Sequence, residues 1–99
     1  TALIPACHYG HVETVRTLLA WTGPNRIPVD HVNRLGWTAL LEAILLGDGG
    51  AAHTEIVRLL IAHGADVGLA DRAGVTPLAH ARQRGQAAIV TLLERAGAR

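Results

Sequence analysis

Apolar residues recur along this chain at helical spacing, in short runs broken by glycine. Val12, Val15, Leu18 and Leu19 stand three and four positions apart, which lays them on one face of a helix over His11–Trp21. A second run, Thr54–His63, holds Ile56, Val57, Leu59, Leu60 and Ile61 and is apolar on most sides. That is the pattern of a helix sandwiched between two others. A third run covers Ala87–Arg95, with Val90, Leu92 and Leu93. Each run follows a shorter apolar segment opened by a hydroxyl: Ala2–Tyr9 behind Thr1, Ala39–Leu46 behind Thr38, and Pro77–Arg84 behind Thr76. A threonine in that place caps the exposed N–H groups of a first helical turn. Pro5 and Pro77 fall within or just past that turn, where a missing N–H costs little. The pattern predicts helices in short–long pairs and no paired sheet.

The pairs are copies of one unit. Thr1, Thr38 and Thr76 lie 37 and then 38 residues apart, a period that marks stacked repeats. One block reads Asn33-Arg34-Leu35-Gly36-Trp37-Thr38-Ala39-Leu40-Leu41-Glu42-Ala43 and returns as Asp71-Arg72-Ala73-Gly74-Val75-Thr76-Pro77-Leu78-Ala79-His80-Ala81. The other reads Glu55-Ile56-Val57-Arg58-Leu59-Leu60-Ile61-Ala62-His63-Gly64-Ala65-Asp66-Val67 and returns around Glu13–Ala20 and Val90–Ala98. This alternation resembles the ankyrin repeat. The resemblance spans essentially the whole chain and implies an all-α fold, an ankyrin-repeat solenoid of stacked helix-turn-helix units joined by β-turn fingers. It divides a single domain, residues 1–99, into a unit truncated at its start (1–32), a complete unit (33–70) and a C-terminal cap (71–99). The block around Trp37, with its Gly47-Asp48-Gly49-Gly50 turn, is similar to a bacterial subgroup of the family.

Several departures from the repeat change the picture. Residues 22–30 replace the usual Gly-Ala-Asp with a longer, irregular finger holding two prolines and a glycine. Asp48-Gly49-Gly50-Ala51-Ala52 is an insertion that reads as a lengthened turn, since it lacks both a P-loop lysine and the spaced oxygens of a calcium loop. The family's turn-binding histidine is replaced by Ile4, Leu41 and Ala79, so its hydrogen bonds are expected to be missing. Arg82 and Glu94 stand where the second unit has Ile44 and Ile61, as befits a last layer facing water. At the other end, Leu3, Cys7, Val12 and Val15 lack an upstream layer. They are expected to be open to water unless an upstream segment or a second copy of the chain covers them.

Charge and composition narrow the function. A net charge of +1, with nine arginines spread along the chain, gives no stripe for nucleic acid. No apolar run is long enough for a membrane span. One cysteine excludes an internal disulfide and fits a cytoplasmic setting. Cys7, His8 and His11 could be read as a metal or nucleophile cluster, but a zinc site needs more ligands and a catalytic thiol needs an orienting group. The expectation is therefore no metal, no cofactor and no catalysis.

The resemblance implies instead a module that binds another protein along a concave face of finger tips and first-helix ends. The positions that match are Arg34, Leu35 and Trp37, Arg72 and Val75, and the helix ends His8, Tyr9, Leu45, Leu46, Gln83 and Arg84. Tyr, Trp and Arg are frequent interface hot spots. The alternative is a purely structural segment of a longer solenoid.

Overall fold

A computed structural model of the chain describes residues 7, 9–20, 37–47 and 50–98. Among them are five helices and no strand: α1 (Val12–Ala20), α2 (Ala39–Leu46), α3 (Ala51–Ala62), α4 (Pro77–Gln83) and α5 (Ala87–Arg95). Within a layer α2 packs on α3, and α4 on α5. Across layers α1, α3 and α5 form one row, while α2 and α4 form the other, inner row.

The helix ends follow from their residues. The Leu41 N–H donates to Thr38 Oγ1 at 3.3 Å and the Ala79 N–H to Thr76 Oγ1 at 3.2 Å, so both anchor threonines cap as expected. Three helices stop in one way. Gly64, Gly85 and Gly97 take φ of 89°, 66° and 91°, and the next residue's N–H reaches back to Leu60, Ala81 and Leu93 respectively. Only glycine enters that left-handed bend without strain, and the returned N–H satisfies an orphan carbonyl. His63 was expected inside its helix; it is the cap instead, with its Nδ1 2.9 Å from the Leu59 carbonyl.

The insertion in the second unit is partly helical. Ala51 and Ala52 extend α3, which begins at Ala51 rather than Thr54. Alanine has the best helix propensity, so added residues of this type lengthen the helix rather than the loop. The predicted helix over residues 2–9 falls mostly outside the described residues; Cys7 is helical and Tyr9 already lies in a turn. The Asn33–Gly36 turn and the 22–30 finger lie outside them altogether.

The core is aliphatic. Leu40, Ile44, Ile56, Val57, Leu60, Leu78, Ile89 and Leu93 are closed to solvent in one cluster that also takes in Cys7 and Val15. This corrects the expectation for the N-terminal end. Cys7 and Val15 are 0% exposed and Val12 is half-buried, so these three are closed or partly closed, while Leu3 lies outside the described residues. The residues turned away from it in α1 are Thr14 and Thr17, in the register of buried Ile56 and Leu59. At the opposite end Arg82 Nη2 pairs with Glu94 Oε2 at 3.0 Å, both half-exposed.

Candidate interaction surface

The third unit shows how a finger is held. Asp71 Oδ1 accepts from the Ala73 and Val75 N–H groups, each at 3.0 Å, and Gly74 completes the turn at φ 81°. Asp71 Oδ2 lies 2.8 Å from His80 Nε2, on the first turns of α4. This bond replaces the family histidine contact that the sequence, with Ala79 at that position, was expected to lack. The imidazole contact, then the two backbone donors, hold the Asp71 carboxyl below its ordinary value of 3.8. In the second unit the residue in the register of His80 is Glu42, which is buried.

A second tie joins layers. Gln86 Nε2 donates to the Ile44 carbonyl at 3.1 Å, from the third layer into the last turn of α2. Its Oε1 is buried without a protein partner among the described residues. Gln86 occupies the register of His11 and His53, a polar position in every unit, and that recurrence was the signal for it.

Tyr9 is 66% exposed and stacks on His11 with ring centroids 6.1 Å apart. Leu46 is 42% exposed, and Leu45 beside it is half-buried. Arg72, Gln83 and Arg84 are exposed, whereas Val75 and Trp37 are half-buried. His8, Arg34 and Leu35 lie outside the described residues. Tyr9, Leu46 and Arg84 each stand eight residues after an anchor threonine, so they form one row across the three units.

The Cys7 cluster behaves as packing. Burial, with the charge of Glu42 adding to it, pushes the Cys7 thiol up to about 12, so it is protonated at neutral pH and a poor nucleophile or ligand. His11 is exposed, and its ring stacks on Tyr9.

A groove that sequence reasoning did not foresee runs between α3 and α5. It measures about 610 Å³ and is lined by Gly50, Ala51, Thr54, Glu55, Arg58, Ala88, Thr91 and Leu92. The small residues Gly50, Ala51 and Ala88 leave the space, and a Glu55–Arg58 ion pair borders it. It lies between two helices of the outer row.

A family profile described as ankyrin repeats, three copies, matches residues 1–71 and again residues 29–99. The chain belongs to the ankyrin repeat family. It is 51% identical over 96 residues to the ankyrin repeat protein YahD of Escherichia coli, which covers 97% of this chain and 46% of that protein. Among solved structures, an ankyrin repeat domain from Acinetobacter baumannii AYE superposes with a TM-score of 0.94 at 57% identity, covering 100% of this chain and 48% of the other. The human ASB11 ankyrin repeat domain gives 0.83 at 30% identity, with 100% and 41% covered. The chain thus spans about half the length of these relatives. Ankyrin repeats are modules that generally mediate protein–protein interaction. No helix among the described residues is long and apolar enough to cross a membrane.

Proposed function

We propose that this ankyrin stack binds a protein partner across its inner row, over the finger tips and the ends of the first helices. The observation that supports this most is the register of its exposed apolar residues. Among the described residues, Tyr9 and Leu46 are the large hydrophobic side chains that stay exposed, and both fall in the same place of successive units. Scattered apolar exposure is ordinary, but a row of it along one face is the form an interaction surface takes. Trp37, half-buried at the foot of the second finger, would add a rigid contact to that surface.

The test combines stability with capture. Trp37→Ala and Leu46→Glu are expected to change unfolding free energy by no more than about 1 kcal/mol, as for partly exposed positions. Proteins that the wild-type chain retains from cells of its source organism should be lost with both variants, at about 2 kcal/mol or more of affinity if these are hot spots. Retention of the same proteins by folded Leu46→Glu would rule the inner row out. The groove between α3 and α5 supports a second reading, with the partner on the outer row. Ala88→Arg, which fills that groove, would then abolish capture while Leu46→Glu would not.

A further inference from the structure

The row of Tyr9, Leu46 and Arg84 changes chemistry along its length, from aromatic to aliphatic to cationic. Among the described residues, no acid pairs with the cation at its end. Each acid of the described residues is already engaged or buried. Glu13 lies 3.5 Å from Arg16, Glu55 pairs with Arg58, and Glu94 pairs with Arg82. Asp71 holds its own finger and His80, Asp66 accepts the Gly68 N–H at 2.9 Å, and Glu42 is buried. Among the described residues this leaves Arg72, Arg84 and Arg95 without an ion pair, all in the third unit.

Two of these belong to the inner face. His80 and Arg84 are four residues apart, which places them one turn apart on the same side of α4 and its cap. His80 in turn holds Asp71, the neighbour of Arg72 in the finger. Arg72 and Arg84 therefore flank one stretch of the inner surface, next in line after Leu46.

From this we infer that the occupant of the inner row is an extended acidic segment. It presents two apolar residues and then a carboxylate, each three positions apart. The spacing follows from the stack. Neighbouring helices pack roughly 8–10 Å apart, and a chain in the extended polyproline II form advances about 3.1 Å per residue with every third side chain on the same face. Three residues thus carry the segment from one unit to the next. The apolar residues sit on Tyr9 and Leu46, and the carboxylate meets Arg84, with Arg72 beside it. A guanidinium on a carboxylate is a directional, charge-assisted contact, so the acid fixes the register that two apolar contacts alone would leave loose.

This rests on the inner-row reading proposed above, and the test separates the two. The probe is a fluorescein-labelled peptide with the core Leu-Ser-Ser-Leu-Ser-Ser-Glu, made also in reversed order, and read by fluorescence anisotropy against the whole chain. One of the two orders should bind about tenfold or more tighter than its counterpart with Lys in place of Glu, the size of one good charged contact. Arg84→Glu should reverse that preference, and 0.5 M salt should shrink it. Moving the acid next to the second Leu should weaken binding. Equal affinity for the Glu and Lys probes, or a preference that survives Arg84→Glu, overturns the acidic-segment inference while the apolar row stands. Binding of neither probe overturns it too, and the Leu46→Glu capture experiment then decides the inner-row reading by itself. A preference for a helical rather than an extended acidic peptide of equal charge also counts against it.

Discussion

The first and third layers both meet the middle one with apolar side chains, yet they turn different residues away from it. In α1 the outward register holds Thr14 and Thr17, with Leu18 half-buried beside them over a shallow hollow of about 260 Å³. The same register in α3 is Ile56, Leu59 and Leu60, all buried. In the third unit the outward register holds the Arg82–Glu94 pair, where the middle unit has buried Ile44 and half-buried Ile61. One end thus replaces aliphatic groups by hydroxyls and the other by full charges. The difference is one of degree of commitment. A hydroxyl taken into an interface costs about 1–3 kcal/mol if left unbonded, and less when it finds a carbonyl. Removing an ion pair from water costs several kcal/mol per charge before any attraction returns it. Another layer can therefore be added at the threonine end far more readily than at the charged end.

That contrast can be broken by substitutions in matched registers. The largest effect is expected from Leu60→Ala, a loss of about 2–5 kcal/mol for a cavity in the middle layer. Leu18→Ala, the same position in the first unit, should cost less than half as much because its side chain is half-buried. Equal losses in denaturant unfolding would mean that the threonine end is covered in solution, by a second copy of the chain or by another segment.

Next comes Gln86→Ala, which removes the donor to the Ile44 carbonyl between the second and third layers. A loss of about 1–3 kcal/mol is expected, the cost of a buried acceptor left unpaired. A neutral result would show that water replaces the amide, and that the third layer is held by apolar packing alone.

The Asp71–His80 tie gives a pH dependence with a definite sign. The folded carboxyl is held below 3.8, so its contribution is fully present above that value and fades as the pH falls through the lower folded one. Melting temperature should drop in acid more steeply for the wild type than for Asp71→Asn, which cannot titrate. Parallel curves would remove Asp71 from the account.

The smallest change in stability, within about 0.5 kcal/mol, is expected for Arg82→Ile with Glu94→Ile, because exposed ion pairs contribute little. Its signature is association. Light scattering should report a concentration-dependent dimer joined through the new apolar end, whereas Thr14→Ala with Thr17→Ala stays unchanged. A double isoleucine variant that remains monomeric at high concentration would show that charge is not what closes this end.

Much of the architecture was legible because each repeat restates its own pattern. The threonine caps, the glycine stops and the aliphatic registers lie within a few residues of the groups they act on. The start of α3 was missed because Asp48-Gly49-Gly50 reads as a break, and the two alanines after it could join either side. The His80 contact was not legible because its partner Asp71 lies nine residues back, across a turn that sets the distance. The openness of Cys7 and Val15 was overestimated because spacing identifies a helix face but not how far neighbouring elements close over it. The exposed row was partly visible, since the helix ends Tyr9, Leu46 and Arg84 were singled out. The groove between α3 and α5 was not, because it arises where small residues of two separate units meet.

Cys7 also makes the first unit its own reporter. A thiol held at about 12 and sealed from water reacts with iodoacetamide only when the surrounding helices part. In a protein whose layers touch only their neighbours, such openings at one end need not involve the other. The rate of alkylation of this single cysteine therefore times the fraying of the first layer, while global unfolding is followed separately. Any ligand that seats on Tyr9 and Leu46 should slow that reaction without touching the sulfur.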